Sequence, residues 1–552
     1  MKPVFPLALL AAFIGAPAFA DNTYQPPQAL VAPSAFKGVH GLAMDQQGRL
    51  LAGSVVSATM YQVDIESGDV TTFIGPPEGQ ADDIAIGPNG EMAWTGFYLG
   101  KVFYRENDDA PIKVLAEGLP GINSIAFDQD TGKLYASQVF LGDAVWEIDL
   151  TGDSEPRQIA EDLGGFNGFE VGSDGWLYGP LWFKGQVVKL NPADGQTQVI
   201  AEGFDTPAAV NFDSKGNLYV LDTHAGTLNR VDVATGETNV VATLDTSLDN
   251  LAIDKDDRIF VSNMADNSIE MVNPSSGKTR VITKGELAVP AGLTINEDGK
   301  TLYIADIFAF RSINTDNGQV TDIRRAHGSD LEYPSSVASG QGRFLLTSTS
   351  TGTLQIIDEK THETRALVHG LNAPSAAVEL PDGSIVVSEM ASGKLVKLSG
   401  EKYDQRTDLT EGLHGPVQMI MGQDENIYLT EAAGFLTRVN PKTGELTRVA
   451  KDLAMPEGLA QLQNGDFVIA ETAERRLSVL DLEGGEREVL AEDLPIGLPT
   501  GPGMPPSGIP TGVAVDANGV IYFGSDIDNG LYKIEPVIVE PERAVADKSE
   551  QP

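Results

Sequence analysis

One phrase recurs twelve times along this chain, and no other feature restricts its fold as strongly. It consists of a loop with a small or polar residue, a short apolar strand, a turn with Asp or Gly, a second strand rich in Tyr and Val, a variable loop, a third strand, and then Thr-Gly or similar. Asp205–Asp222 and Val289–Asp306 show it most plainly. The residue just ahead of the first strand is, copy by copy, His40, Asp82, Asn123, Asn167, Ala208, Asp249, Ala291, Ser335, Ser375, Val417, Glu457 and Thr511. The steps are 40 to 44 residues, except a last one of 54 that holds an inserted Pro/Gly segment, Leu494–Pro506. A fixed period of this length marks a repeat architecture, and four short strands per unit without helical periodicity select propeller blades over a solenoid.

Propellers usually close with about four to eight blades, so twelve copies divide into two sixes. The predicted fold is all-β: two tandem six-bladed β-propellers, twelve four-stranded blades in all, with strand-exchange closure. Gln28–Ala32 reads as a spare outer strand, like Lys113–Ala116, lying ahead of the first complete copy. Conversely, the twelfth copy stops after its third strand, Leu531–Ile534. This predicts a first ring over residues 21–275, closed by the N-terminal strand. It predicts a second ring over 276–537, opening with the strand Thr279–Thr283. Residues 538–552, charged and Pro-containing, are expected to form a disordered tail.

The N-terminus reads as an export signal spanning residues 1–20: Lys2, an apolar run from Val4 to Ile14, then Ala18-Phe19-Ala20 as a small-x-small cleavage site. A mature chain starting near Asp21 is expected to be periplasmic or secreted, without membrane insertion, because no later segment is long and apolar enough to span a bilayer. The chain has no cysteine, which excludes disulfides, thiolate metal sites and cysteine nucleophiles. Its 79 acidic residues against 38 basic ones are spread along the whole length, a surface that repels nucleic acid and anionic lipid.

In a propeller blade the innermost strand comes first, so the loop leading into it points its side chains into the central channel. The loop between the second and third strands opens onto the same face. In the first ring the channel set is His40, Asp82, Asn123, Asn167, Ala208 and Asp249, with Asp83 and Asn250 adjacent. Two carboxylates and two carboxamides on one axis offer oxygen ligands, which suit a hard cation such as calcium. The alternative is that these residues cap neighbouring loop amides. His40 and Asp83 are the candidates for activating water. The outer loops of this ring hold Phe97-Tyr98, Phe140, Trp182-Phe183 and His224, an apolar and aromatic rim suited to a small-molecule substrate.

The second ring's channel set is mostly bland, with Glu457 its single strong cation ligand. Its acids at the ends of second strands, Asp306, Glu389, Glu431 and Glu471, recur once per blade, as loop-bonding residues would. No serine-nucleophile elbow, HExxH helix, P-loop or dinucleotide fingerprint occurs, so no organic cofactor is expected.

Gln80–Asn89, Phe166–Tyr178 and Leu248–Asp254 resemble the calcium-bearing loops of the senescence-marker-protein, gluconolactonase and paraoxonase superfamily. That resemblance implies a six-bladed propeller that hydrolyses lactones or phosphotriesters. It implies an acidic calcium ligand at Asp82, carboxamide ligands at Asn123 and Asn167, and an Asp-Asn pair at Asp249 and Asn250. It covers the first ring only. His40 sits one blade earlier than the superfamily's channel histidine, and Ala208 stands where a paraoxonase places a further Asn. The expectation is a calcium-dependent hydrolase of a lactone or related ester. The rivals are a non-catalytic module binding a ligand, glycan or partner protein, the partner docking through the second propeller, and a strictosidine-synthase-like or lyase activity using an acid such as Glu457.

Overall fold

The computed structural model describes residues 24–498 and 509–537. The expected signal segment, the expected tail and most of Leu494–Pro506 lie outside the described residues.

The described residues form twelve four-stranded antiparallel sheets, and in eleven of them the strand order follows the sequence. The inner strands touch in ring order, and in each set of six the last touches the first, giving two closed six-bladed propellers. Burial reflects each strand's place. The inner strand Ile122–Phe127 is buried at every position, because its two faces meet the neighbouring blades. The outer strand Thr197–Glu202 buries only Ala201 and leaves its other residues exposed or half-exposed. The cores lie between blades: Ala209, Tyr219, Leu221 and Leu228 of the fifth blade pack on Leu251, Ile259 and Val261 of the sixth.

Closure differs from the sequence expectation. Gln28–Val31 does not enter the first ring; it pairs with Leu531–Ile534, so the N-terminal strand completes the twelfth blade. Thr279–Thr283 pairs with Ser268–Val272 and is the outer strand of the sixth blade, not the opening of the second ring. The expected boundary at 275 therefore cuts through the sixth blade, and the first ring's strands run from Leu42 to Thr283. The reason is strand supply: every blade of the first ring has four strands of its own, and only the twelfth lacks one.

One strand exchange thus closes the second ring, and the chain crosses between rings twice, at residues 32–41 and 284–292. Asn267, held at a left-handed φ of 44°, staples both crossovers. Its amide nitrogen donates to the carbonyls of Phe36 (2.6 Å), Leu287 (3.0 Å) and Ala288 (2.7 Å), and its amide oxygen accepts from Gly38 N–H at 2.7 Å. Arg325, from the second ring, reaches Asp266 with two bonds of 2.9 Å and Thr246 O with another of 2.9 Å. An apolar cluster of Met264, Ala265, Ala288, Val289 and Phe308 fills the seam. Gly38 is required there: it has φ of 66°, and a Cβ would overlap the Phe308 ring.

Candidate functional site

The loops that enter the inner strands of the first ring are held by hydroxyls from neighbouring blades. Thr95 Oγ1 donates to Asn123 O at 2.5 Å, and Ser262 Oγ donates to His40 O at 2.7 Å. These bonds fix the backbone of channel residues, so their side chains are aimed before any ligand arrives.

His40, Asp82, Asn123, Asn167 and Asp249 converge on one cavity of about 310 Å³. All but Asp249, which is half-buried, are buried. Ser124 Oγ lies 2.9 Å from both Asn123 Oδ1 and Asn167 Oδ1, which locks the two carboxamides side by side. The side chains of Asp82 and Asp249 carry no hydrogen bond or ion pair among the described residues. Burial, and then the Asp249 charge, hold the Asp82 carboxyl well above the usual range; burial, and then the Asp83 charge, push Asp249 up to about 8. Two desolvated carboxylates that repel one another are a standing demand for a cation or for shared protons. Among the described residues, no three His, Cys, Asp or Glu side chains group closely enough to hold a metal ion. A cation here would depend on the Asn oxygens beside the two acids, a donor set that fits calcium.

Asp83 and Asn250 turn away from this cavity. They line a second, polar space along the inner strands of the same ring. Asn250 Nδ2 donates to Asp83 Oδ1 at 3.0 Å; the same carboxylate accepts from the N–H of Ile84 (2.9 Å) and of Ile125 (3.1 Å). Burial pushes Asp83 up to about 7. Asp82 sits in a bend ahead of the inner strand Ile84–Ile86, and the chain turns there so that Asp82 and Asp83 part company. Asp83 is a blade-to-blade clamp, not a group facing the cavity.

His40 faces the cavity, but its Nδ1–H donates to Gly38 O at 2.7 Å, leaving Nε2 as the free acceptor. Burial pushes its pKa down to about 4, so the ring is neutral at pH 7 and a weak base.

Of the expected rim, Phe97, Tyr98, Phe140 and Trp182 line the cavity. Phe183 stands outside, 62 % exposed and edge-on to Phe140, and His224 is exposed on the surface. The sequence reading missed the part of the wall that comes from the second ring: Ile307, Phe308, His327, Tyr333, Ser350 and Thr351. Rings join into a belt across the seam. Phe97 meets Phe140 (6.4 Å between centroids), Phe140 meets Trp182 (5.4 Å), Trp182 meets His327 (5.1 Å), His327 meets Tyr333 (5.3 Å), Tyr333 meets Phe308 (5.9 Å), and Phe308 meets His40 (5.7 Å).

The second ring's own channel spends its carboxylate and a serine within the fold, and of its channel residues Thr511 keeps a buried hydroxyl without a hydrogen-bond partner among the described residues. Ser375 Oγ donates to Pro416 O at 2.7 Å, and Glu457 Oε2 accepts from Thr511 N–H at 2.7 Å. Its strand-end acids bond loop amides, as expected: Asp306 with Val289 N–H (2.7 Å), Glu389 with Asn372 N–H (3.1 Å), Glu471 with Ala454 N–H (2.8 Å), and Glu431 with His414 N–H (2.5 Å).

No family model matches the chain, and no curated protein matches it. Many solved structures do. Virginiamycin B lyase from Staphylococcus aureus is similar at 14 % identity over 60 % of this chain and 95 % of that one, with a TM-score of 0.26. The extracellular domain assigned to a hybrid two component system of B. thetaiotaomicron is similar at 11 % identity over 95 % of this chain and 87 % of that one, with a TM-score of 0.34. At such scores neither likeness assigns an activity. The two propellers rest on the chain's own sheet order. No helix among the described residues is long and apolar enough to cross a membrane.

Proposed function

We propose that this is an exported, calcium-dependent hydrolase of a small lactone or related ester, with its site in the first channel. One observation carries the reading: Asp82 and Asp249 are desolvated and unpaired among the described residues, at the floor of an aromatic cavity. Asp82, Asp249, Asn123 and Asn167 would hold the ion. When bound, calcium supplies a positive charge that polarises a carbonyl and stabilises the oxyanion that develops from it. The chain's residues do the rest. The two carboxylates would hold the cation, and the locked carboxamides would fix its position. His40 Nε2 accepts a hydrogen bond from water, and the aromatic walls offer apolar faces to the body of the substrate.

The test is a calcium titration of the intact protein by calorimetry, alongside turnover of phenyl acetate and δ-valerolactone. One ion per chain and activity lost in Asp82→Ala are expected. Turnover that survives loss of both Asp82 and Asp249 would sink the reading.

The placement of Asp83 and the low basicity of His40 favour a second reading, a module that binds its ligand without turning it over. Saturable ligand binding with no hydrolysis of either ester would select it.

A further inference from the structure

The second ring does more than rest against the first. Its segment 325–335 is pinned at the base by Arg325, which bonds Asp266, Thr246 and Asn263 of the first ring. Ser247 Oγ, also of the first ring, donates to Ala326 O at 2.5 Å. From that anchor the segment carries His327 and Tyr333 over the cavity floor, both in left-handed backbone conformations, with φ of 59° and 43°. Bulky residues hold that conformation only where their surroundings over-determine it. Tyr333 Oη is hydrogen-bonded to His327 Nε2, and both side chains line the cavity that Asp82 and Asp249 floor.

A phenol offers one donor and two acceptor positions. One is spent on His327, so the rest serve the cavity. Among the described residues no Lys or Arg lines that space, so the roof presents a neutral, oriented hydroxyl set among aromatic faces. We propose that ligand recognition belongs to both rings: the Tyr333 hydroxyl contacts the ligand, and His327 is the positioning residue that orients it. The ligand class is a small uncharged molecule with an apolar body and a hydroxyl or carbonyl oxygen. The inference rests on the cavity being a ligand site, as read above, and is independent of hydrolysis.

The experiment uses the full-length protein and 2-naphthol, a neutral fluorescent aromatic alcohol. Tyr333→Phe removes one oxygen and keeps the ring. It should weaken 2-naphthol binding about fivefold or more, the effect of losing one hydrogen bond in a dry site, while calcium stoichiometry and affinity stay at wild-type values. His327→Leu should weaken binding as much, and His327→Gln, which can still bond the phenol, should restore part of it. If His327→Leu fails to fold, Tyr333→Phe decides. The proposal is overturned if wild type does not bind 2-naphthol, or if Tyr333→Phe binds it within twofold of wild type. An affinity that drops in Tyr333→Phe, with no ester turnover by wild type, sinks the hydrolase reading and leaves the composite site standing.

Discussion

Ahead of the inner strand, the first ring places His, Asp or Asn in five of six blades, while the second places Ala, Ser, Ser, Val, Glu and Thr. In both rings the backbone of these loops is held by hydroxyls from adjacent blades, Thr95 to Asn123 O in the first and Thr430 to Glu457 O in the second. The scaffold is therefore shared and the chemistry is not. In the second ring Glu457 is consumed by Thr511 N–H; in the first, Asp82 and Asp249 are left facing a cavity. What separates the two channels is that the second ring's carboxylate has a partner in the fold, while the first ring's Asp82 and Asp249 have none among the described residues.

The strongest challenge to that contrast is to remove the acids from each ring in turn. Asp82→Ala with Asp249→Ala should abolish calcium binding and lower kcat/KM by about 100-fold or more. Glu457→Gln should leave both within about twofold; calorimetry and ester kinetics on the same preparations decide. Equal losses from the two rings would erase the distinction.

The rings also differ in how they close, and Val31→Asp probes that. A charge at this buried position of the closing strand should cost about 3 kcal/mol or more. Limited proteolysis should then cut the second ring, between 293 and 534, before the first. First-ring cleavage at equal rate would mean that the exchanged strand does not act locally.

A milder variant sharpens the seam. Gly38→Ala should destabilise the protein by about 1–3 kcal/mol, from the left-handed φ and the overlap with Phe308. Adding Phe308→Leu should recover part of the loss, a non-additivity read by denaturant titration. Strict additivity would show that the two rings do not meet tightly there.

The smallest effect concerns pH. Burial, and then the charges of His224 and His40, push His327 from its ordinary 6.5 down to about 4. Between those values the unfolded chain binds the proton and the folded one does not, so folding stability falls as pH drops from about 6.5 towards 4. Tm measured across that range should decline less steeply in His327→Gln than in wild type. Identical slopes would show that His327 titrates alike in both states.

Periodicity made the blades legible, because a blade is a local object: a turn, an alternation of apolar residues and a short loop fix each hairpin within some 42 residues. The same regularity exposed Asp82, Asn123, Asn167 and Asp249 as a set, since equivalent repeat positions must point at one axis. It could not say that Asp83 and Asn250 turn aside, because that depends on which of two adjacent side chains faces up. One signal for the ring closure was present: the twelfth copy lacks a fourth strand and the sixth does not. That count assigns Gln28–Val31 to the second ring.

What the sequence determined alone is the number of blades, the division into two sixes and the identity of the channel acids, all consequences of short-range pattern. What only the tertiary structure decided is that the rings share a wall. His327, Tyr333 and Phe308 lie more than 200 residues from Asp82 in sequence and reach its cavity because two chain crossovers and Asn267 fix one ring against the other. Contacts between separately closed rings leave no periodic trace, since neither ring needs the other to satisfy its own strands.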